Sequence, residues 1–346
     1  MTIDTGEAFL QRATADEGFM RQALALAASV DLPRDVNPRV GAIVVSSEGE
    51  VVGEGFHLGS GTDHAEVVAL AQADGLAVGS TVYSTLEPCA HAGKKGPCAH
   101  AVIEAGVARV VYAQQDPNPA MAGGAAALAT SGVEVTGGVL ADDATALNPS
   151  WTFAHENGRP WVVWKTATTL DGFVAAVDGS SKWITGEEAR AQVQDIRESV
   201  GAVITGTGTV LADDPQLTAR DLADDEQPLR VVVGSRSIPS DARILTGSKP
   251  ALPMTADVSE VLQTLWREHG IHRVLVEAGP GLSNAVWEQG LVDEVFWFQA
   301  PVILGQGRPA IGDIGVASLG AASRFSDYSV NRVGLDVVIH FTTRQG

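Results

Sequence analysis

Apolar residues along the chain recur in short blocks that alternate between strand spacing and helix spacing. The runs 40–45 and 81–86 are apolar-rich and end at polar residues, as buried strands do. Between them, 64–74 has helical spacing, and the glycine at 75 predicts its end. The elements predicted in this half are helices at 19–28, 64–74, 98–105 and 121–130, a hairpin at 40–45 and 50–54, and strands at 81–86, 107–113 and 133–136.

The same alternation resumes after residue 160. The predicted strands are 161–167, 201–205, 229–233, 273–277, 294–300 and 335–341, and the predicted helices are 186–199, 258–269 and 282–289. Between the halves, Pro149, Asn157, Gly158 and Pro160 indicate a connector. We therefore predict two α/β domains, at 1–147 and 160–346, joined by a connector at 148–159. Strand–helix alternation favours a largely parallel sheet, with functional sites at the strand ends.

Length and charge narrow the classes of function. The chain has 346 residues, which suits two domains, and a net charge of −19, with −11 in residues 1–150 and −8 in the rest. Nucleic-acid partners are not expected, since they require a basic surface. A membrane span is not expected either, because no apolar run reaches about 18 residues. The start Met1-Thr2-Ile3-Asp4 has no signal-peptide pattern, which predicts a cytoplasmic protein. A homo-oligomer is compatible with the sequence.

The only two cysteines, Cys89 and Cys98, lie in one short segment, downstream of His64-Ala65-Glu66. One His and two Cys supply three ligands of a tetrahedral zinc and leave the fourth position for water, as catalytic sites do. Zinc lowers the pKa of that water from about 15.7 toward roughly 7. Glu66 is not needed as a ligand and can carry protons between the water and a leaving amine. His-x-Glu followed by Pro-Cys and a second Cys is typical of zinc-dependent nucleobase deaminases.

Other interpretations of this segment are open at the sequence level. Cys89 and Cys98 have a spacing that permits a disulfide, although a reducing cytoplasm disfavours one. His91 and His100 are rival ligands close by, and His91 could instead contact substrate.

Two glycine-bearing turns follow predicted strands in the second half, at 205–209 and 277–285. Neither has the third glycine of the dinucleotide-binding fingerprint, so each could be only a tight strand-to-helix turn. The second turn opens a helix and could offer its N–H groups to a phosphate. The loop 211–220, with two acids and Arg220, could be solvated or could bind a ribose and a phosphate.

Taken together, the motifs resemble those of the bifunctional deaminase–reductases of riboflavin biosynthesis. In the deaminase half the matching segments are Asn37–Gly41, His64–Glu66, Thr85–Cys89, Gly96–Cys98 and Gln115–Pro119. In the reductase half they are Thr169–Gly172, Ser181–Gly186, Gly208–Pro215 and Val276–Pro280. The resemblance covers nearly the whole chain in the expected order. The gap of eight residues between the two cysteines is specific to this family, because most cytidine-type deaminases have only two residues between theirs. Gly41-Ala42 departs from the family pattern.

The resemblance implies a fold, two reactions and a set of site residues. It implies a cytidine-deaminase-like α/β/α sandwich followed by a dihydrofolate-reductase-like α/β domain. The first would deaminate 2,5-diamino-6-ribosylamino-4(3H)-pyrimidinone 5′-phosphate, and the second would reduce the ribosyl group to ribityl with NADPH. The implied NADPH-binding residues are Ala167, Trp183, Thr209, Asp213, Ser235, Gly279, Pro280, Gly281, Leu282, Ser283, Asn284 and Ala285. The implied substrate-binding residues are Ser181, Arg197, Asp213, Leu217, Arg220 and Glu277.

Two competing functions remain at this stage. A deaminase of a free base or nucleotide, with an idle or unrelated second domain, predicts no NADPH binding. In a scaffold protein in which zinc is only structural and no reaction is catalysed, Glu66 would have no role.

Overall fold

The structure is a computed structural model that describes residues 5–30, 37–59, 61–91, 96–247, 249 and 251–343. The chain forms two compact units, the first ending at Glu156 and the second beginning at Asn157. Within the described residues, no helix is both long and apolar enough to cross a lipid bilayer.

The first unit is a five-stranded sheet with helices packed on both faces. Its helices are α1 (Thr5–Ala28), α2 (Ala65–Ala73), α3 (Cys98–Glu104), α4 (Gly124–Thr130), α5 (Ala141–Leu147) and α6 (Pro149–Asn157). Its strands are β1 (Gly41–Val45), β2 (Val51–Phe56), β3 (Thr81–Leu86), β4 (Arg109–Gln114) and β5 (Glu134–Gly137), in the order β2-β1-β3-β4-β5. Alternate residues of β1 enter different cores, with Val44 on one face and Ile43 on the other.

The prediction of a largely parallel sheet is wrong for this unit. β1 pairs antiparallel with both β2 and β3, and only β3–β4 and β4–β5 are parallel. The β1–β2 pairing is the predicted hairpin, since a connection of a few residues can join only antiparallel neighbours, and the unexpected pairing is that of β1 with β3.

Glycines allow α2 to lie unusually close to β2. A Cβ added to Gly53 would be 2.1 Å from the carbonyl oxygen of Ala69, and one added to Gly55 would be 2.2 Å from that of Ala65. Gly41 makes the same kind of approach to α1, 2.1 Å from the Ala23 oxygen, which explains the small residue there. This packing holds the first turn of α2, and with it Glu66, against the sheet.

The segment 148–159 differs from the connector expected of it. Most of it is α6, whose Trp151 and Phe153 are buried. Trp151 packs in the core of the first unit, and Gln114 Nε2 donates to Thr152 Oγ1 at 2.9 Å. This part of the chain is therefore structural in the first unit.

The second unit is built on an eight-stranded sheet in the order β10-β9-β8-β11-β6-β12-β15-β14. Its strands are β6 (Trp161–Thr168), β7 (Phe173–Ala176), β8 (Ala202–Gly206), β9 (Leu229–Val233), β10 (Leu252–Met254), β11 (Arg273–Val276), β12 (Glu294–Gln299), β13 (Gly307–Pro309), β14 (Tyr328–Val333) and β15 (Asp336–Thr342). Its helices are α7 (Glu187–Glu198), α8 (Thr207–Asp213), α9 (Val258–His269) and α10 (Pro280–Glu288).

The six strands from β10 to β12 in that order are all parallel, which confirms the predicted sheet type for this unit. β15 and β14 extend the sheet in antiparallel fashion, and β7 and β13 form a separate ribbon. The carboxyl ends of β6, β8, β9, β11 and β12 consequently lie along one edge of the sheet, which we call the carboxyl edge.

Candidate active sites

Three predicted ligands meet at one end of the first sheet. His64 is the residue immediately before α2, Cys89 lies three residues beyond the end of β3, and Cys98 is the first residue of α3. Cys89 and Cys98 are buried and His64 is half-buried. Two helix starts and one strand end therefore bring together residues that are far apart in the sequence.

The geometry of these three side chains fits zinc. His64 Nδ1 is 3.0 Å from Cys98 Sγ and 3.6 Å from Cys89 Sγ, and the two sulfurs are 3.4 Å apart. Zn–S bonds of about 2.3 Å and Zn–N bonds of about 2.0 Å at tetrahedral angles require ligand separations of roughly 3.5–3.8 Å. The three donor atoms thus lie within about half an ångström of the spacing that a shared ion requires.

Hydrogen bonds and burial shift the pKa values of the two thiols and of His64. A hydrogen bond from the Cys98 thiol, helped by His64 and the Cys98 N–H, lowers the pKa of Cys89 to about 4. The pKa of Cys98 is raised, because its proton is held between the two sulfurs and because it is buried. Hydrogen bonding to Cys89 raises the pKa of His64. A metal cation bound by both sulfurs would displace their protons.

Glu66 occupies the first turn of α2 and is almost completely buried. Burial raises the pKa of this carboxyl group. Ser84 Oγ donates to Glu66 Oε1 at 3.4 Å. A buried carboxyl group with a raised pKa, two residues from a metal ligand, is suited to serve as a general acid–base group.

Two alternatives for this segment, a disulfide and a different histidine ligand, are not what the structure shows. Cys89 and Cys98 are free thiols and not a disulfide. Among the described residues, the group able to hold a metal contains only His64, Cys89 and Cys98. His100 is exposed and pairs with Glu104 at 3.3 Å, while His91 is exposed.

Glu87 fixes the loop that carries Cys89, a function that the sequence did not predict. Its buried carboxylate accepts hydrogen bonds from the backbone N–H groups of Gly123 and Ala125 at 3.1 Å and of Asp116 at 3.3 Å. Glycine is required at position 124, where the backbone passes close to Pro88, because a Cβ there would overlap the Pro88 oxygen at 1.6 Å. Only the motif Thr85–Cys89 hinted at such a function.

Two further residues near the zinc ligands were not singled out by sequence. Burial raises the pKa of Asp116 to about 6, and the charges of Cys89 and His64 also act on this group. His57 is buried, and its ring lies edge-on to that of His64 with centroids 5.3 Å apart. Asp116 lies in the matching segment Gln115–Pro119 but was given no role there, and His57, seven residues before His64, belongs to no motif.

In the second unit, the predicted site residues are distributed along the carboxyl edge and the loops beside it. Glu277 directly follows β11, and its carboxylate is bound in bidentate fashion by Arg197, at 2.5 and 3.0 Å. Lys165 Nζ, from β6, lies 3.7 Å from the same carboxylate. Burial would raise the pKa of Glu277, but the two cations outweigh it and lower the pKa. Lys165 is a residue that sequence reasoning missed; burial lowers the pKa of its amine.

The pairing of Arg197 changes the interpretation of its role. Arg197 is committed to Glu277 and also donates to the Thr218 oxygen at 3.2 Å, whereas the resemblance implied that it binds the substrate. Arg220 is exposed and forms no ion pair within the described residues. Its backbone N–H donates to Gln194 Oε1 at 3.3 Å. Arg220 is thus the better phosphate candidate of the two.

The loop after α8 links several predicted residues. Ser181 Oγ donates to Asp213 Oδ1 at 3.2 Å, which brings these two residues together. Leu217 is buried in the core with a φ of +55°, so its side chain is not available to a ligand and only its backbone is. Trp183 is 68% exposed and carries the Arg190 guanidinium 4.6 Å above its ring.

Residues predicted for the cofactor occupy neighbouring strand ends. Thr209, in α8, accepts a hydrogen bond from Gly279 N at 3.0 Å, which ties the two glycine-bearing turns together. α10 starts at Pro280, and its first turn leaves N–H groups for an anion. Ser283 is buried against Trp164, and Asn284 accepts from Gly312 N, so these two side chains serve packing. Ala167 lies near the end of β6, and Ser235 follows β9.

Family models match both units of the chain. Residues 13–114 match the family model of the cytidine and deoxycytidylate deaminase zinc-binding region. Residues 160–339 match that of the RibD C-terminal domain. The chain is 45% identical over 314 residues to the riboflavin biosynthesis protein RibD of Mycobacterium tuberculosis, covering 89% of this chain and 91% of that relative. It is 37% identical to the RibD of Aquifex aeolicus, covering 94% and 98%.

Solved structures show the same architecture. Acinetobacter baumannii RibD superposes with a TM-score of 0.85 at 37% identity, covering 96% of this chain and 99% of that one. A diaminohydroxyphosphoribosylaminopyrimidine deaminase/5-amino-6-(5-phosphoribosylamino)uracil reductase from Thermotoga maritima superposes with a TM-score of 0.79 at 30% identity, covering 96% and 99%. The predicted two-domain fold class is confirmed.

Proposed function

Because the chain belongs to the RibD family of bifunctional deaminase–reductases of riboflavin biosynthesis, we propose which reaction each unit performs. The first unit removes the 2-amino group of 2,5-diamino-6-ribosylamino-4(3H)-pyrimidinone 5′-phosphate. The second unit reduces the ribosyl group of the product to ribityl with NADPH. The proposed deaminase activity is supported by one observation: His64, Cys89 and Cys98 lie together beside the buried Glu66.

In the deaminase, Glu66 is the proton carrier. His64, Cys89 and Cys98 would hold a zinc ion, which would supply a Lewis acid able to lower the pKa of water from about 15.7 toward roughly 7. Glu66, with its pKa raised by burial, would accept a proton from water and return it to the amine that leaves as ammonia. Glu87 acts through Cys89, because its hydrogen bonds hold the loop that presents the thiolate.

In the reductase, a cofactor site and a substrate site share the carboxyl edge. NADPH, when bound, supplies the reducing equivalents. The turn Gly279–Ala285 would hold its pyrophosphate, and the helix α8 contacts this turn through Thr209 and Ser181 through Asp213. Glu277, Arg197 and Lys165 form a buried charged cluster suited to orienting the sugar. Arg220 provides an exposed cation for the substrate phosphate.

A two-step assay tests this function. With the diaminopyrimidinone phosphate as substrate, ammonia release is expected without NADPH, and NADPH oxidation is expected only after deamination. Ammonia release without any NADPH oxidation would favour the alternative, a deaminase whose second unit is idle.

Substitution of a zinc ligand is expected to remove the metal. Cys98→Ser replaces one of only two thiols in the chain, so zinc affinity is expected to fall by at least about 100-fold. Elemental analysis of the purified variant measures this. His100→Ala is the matched control, since His100 is nearby but exposed, and it is expected to keep full zinc. Full occupancy in Cys98→Ser would refute the ligand assignment.

Arg220→Ala is expected to weaken substrate binding more than cofactor binding. A charged hydrogen bond to phosphate contributes roughly 1.5–3 kcal/mol, so the substrate KM is expected to rise about ten- to a hundredfold. Added salt should raise the wild-type KM in the same direction, because an exposed ion contact is screened. Arg332→Ala, in the exposed strand β14, serves as control. A raised NADPH KM with an unchanged substrate KM would assign this arginine to the other ligand.

The domain limits and the location of the protein are also proposals. We propose a deaminase domain built on residues 1–147 and a reductase domain at 160–346, and we assign α6, which lies between these limits, to the deaminase domain because Trp151 packs in its core. We propose that the enzyme works in the cytoplasm, where the two thiol ligands stay reduced.

A further inference from the structure

Side chains from outside residues 217–220, which we call the Arg220 loop, hold the backbone of this segment. Arg197 donates to the Thr218 oxygen at 3.2 Å, and the N–H of Arg220 donates to Gln194 Oε1 at 3.3 Å. Gln194 and Arg197 are three residues apart in α7, so they project from the same side of that helix. The helix therefore contacts the Arg220 loop at two points of its backbone.

Gln227 holds the residue that lies between these two points. Its buried side-chain amide accepts a hydrogen bond from Ala219 N at 2.9 Å and donates one to Ala219 O at 2.7 Å. The same Nε2 also donates to the Leu222 oxygen at 2.8 Å, so both of its hydrogens are used. Ala219 is completely buried, and its backbone groups have to be paired inside the protein. The Gln227 amide satisfies both of them.

Arg197 ties the Arg220 loop to the buried charged cluster. Its Nε and Nη2 bind the Glu277 carboxylate at 2.5 and 3.0 Å, while its Nη1 donates to Thr218. Arg197 cannot move far, because separating it from the buried Glu277 would leave a charge uncompensated inside the protein. Arg220, two residues after Thr218, is thus anchored by its backbone beside the cluster proposed to orient the sugar, while its own side chain is exposed.

We propose that Gln227 is a positioning residue of the reductase, whose amide fixes the Arg220 loop so that the Arg220 guanidinium is held ready for the phosphate of the substrate. The inference rests on the proposed assignment of Arg220 to that phosphate. A loop that is ordered before binding loses less conformational freedom when the substrate binds, and this order contributes to affinity. Gln227 is itself buried, so it acts on the substrate only through Arg220.

Gln227→Met in the full-length enzyme tests this proposal, because methionine has a similar length but cannot pair with the Ala219 backbone. With the pre-deaminated substrate, the substrate KM is expected to rise about tenfold, while kcat and the NADPH KM change less than about twofold. Gln227→Asn keeps the amide on a shorter side chain and is expected to show a smaller rise. Gln289→Met is the matched control: this exposed glutamine donates to Asp257, and its loss should change neither KM.

A double-mutant cycle separates positioning from a general loss of stability. In an Arg220→Ala background, Gln227→Met is expected to leave the substrate KM unchanged, because no guanidinium remains to be positioned. A residue that only stabilises the fold would have the same effect in both backgrounds. An equal rise of the substrate KM with and without Arg220, or no rise in either Gln227 variant, would overturn the proposal.

Amide hydrogen exchange provides a measurement that needs no substrate. In Gln227→Met, the N–H groups of Ala219 and Arg220 are expected to exchange about tenfold faster than in the wild type, while the amides of β11 keep their rates. Unchanged exchange at Ala219 would show that Gln227 does not hold the loop and would overturn the proposal. An unchanged substrate KM in Arg220→Ala alone would instead refute the phosphate assignment, and the exchange rates would still decide whether Gln227 holds the Arg220 loop.

Discussion

Glu66→Gln is expected to lower the rate of deamination by about 10²- to 10⁴-fold, the usual contribution of a general acid–base group. The amide keeps the shape of the side chain in its buried position but cannot accept and return a proton. Zinc should remain bound, because His64, Cys89 and Cys98 are unchanged. Ammonia release and zinc content, measured on the same preparation, test both parts.

The controls for Glu66→Gln separate chemistry from folding. Glu104→Gln changes an exposed carboxylate on α3, the helix that Cys98 begins, and should deaminate normally. NADPH-dependent reduction of the pre-deaminated substrate by Glu66→Gln should be unaffected, since the second unit performs it. Ammonia release close to the wild-type rate would refute the proton-carrier role.

Glu277→Gln is expected to destabilise the second unit by about 3–5 kcal/mol and to abolish reduction. Glu277 is buried, and it is the acid that compensates the charges of Arg197 and Lys165. Removing one partner of a buried ion pair leaves the remaining charge uncompensated in a medium of low dielectric constant. Glu288→Gln, an exposed change at the end of α10, should leave both stability and activity unaltered.

Lowering the pH tests independently how much the ion pairs of Glu277 with Arg197 and Lys165 stabilise the second unit. The folded-state pKa of Glu277 is lower than its ordinary value of 4.5, so its ion pairs stabilise the protein above that pH. This stability is lost as the pH falls below 4.5 toward the folded-state pKa. Six of the seven tryptophans follow residue 160, so urea unfolding monitored by tryptophan fluorescence reports mainly on the second unit. A wild type and a Glu277→Gln variant with equal urea midpoints at neutral pH would contradict the prediction.

The elements with a strong apolar pattern were predictable, and the weaker ones were not. α9 was predicted at its observed bounds, because its apolar positions recur on one face and Gly270 follows it. α6 was taken for a connector because Pro149 and Gly158 resemble loop residues. Both fit a helix equally well, since proline suits the first helical position and Gly158, with a φ of +65°, suits the residue after the end. β14 was missed because it is exposed on both faces and shows no alternation.

The sequence by itself determined the chemistry of the zinc centre and the order of the two units. The chain has one pair of thiols, and a His-x-Glu motif precedes them, so the choice of ligands was small. Motif spacing along each half was enough to identify the family, because loops at strand ends carry their functional residues in local runs.

Only the tertiary structure decided which charges are paired and which are free. Arg197 and Glu277 are 80 positions apart and form a buried bidentate pair, while Arg220 and Arg236 remain exposed. All four are plain charged residues in the sequence. The difference arises from the parallel sheet, which brings the ends of distant strands to one edge, and from burial, which makes an unpaired charge costly inside and tolerable outside.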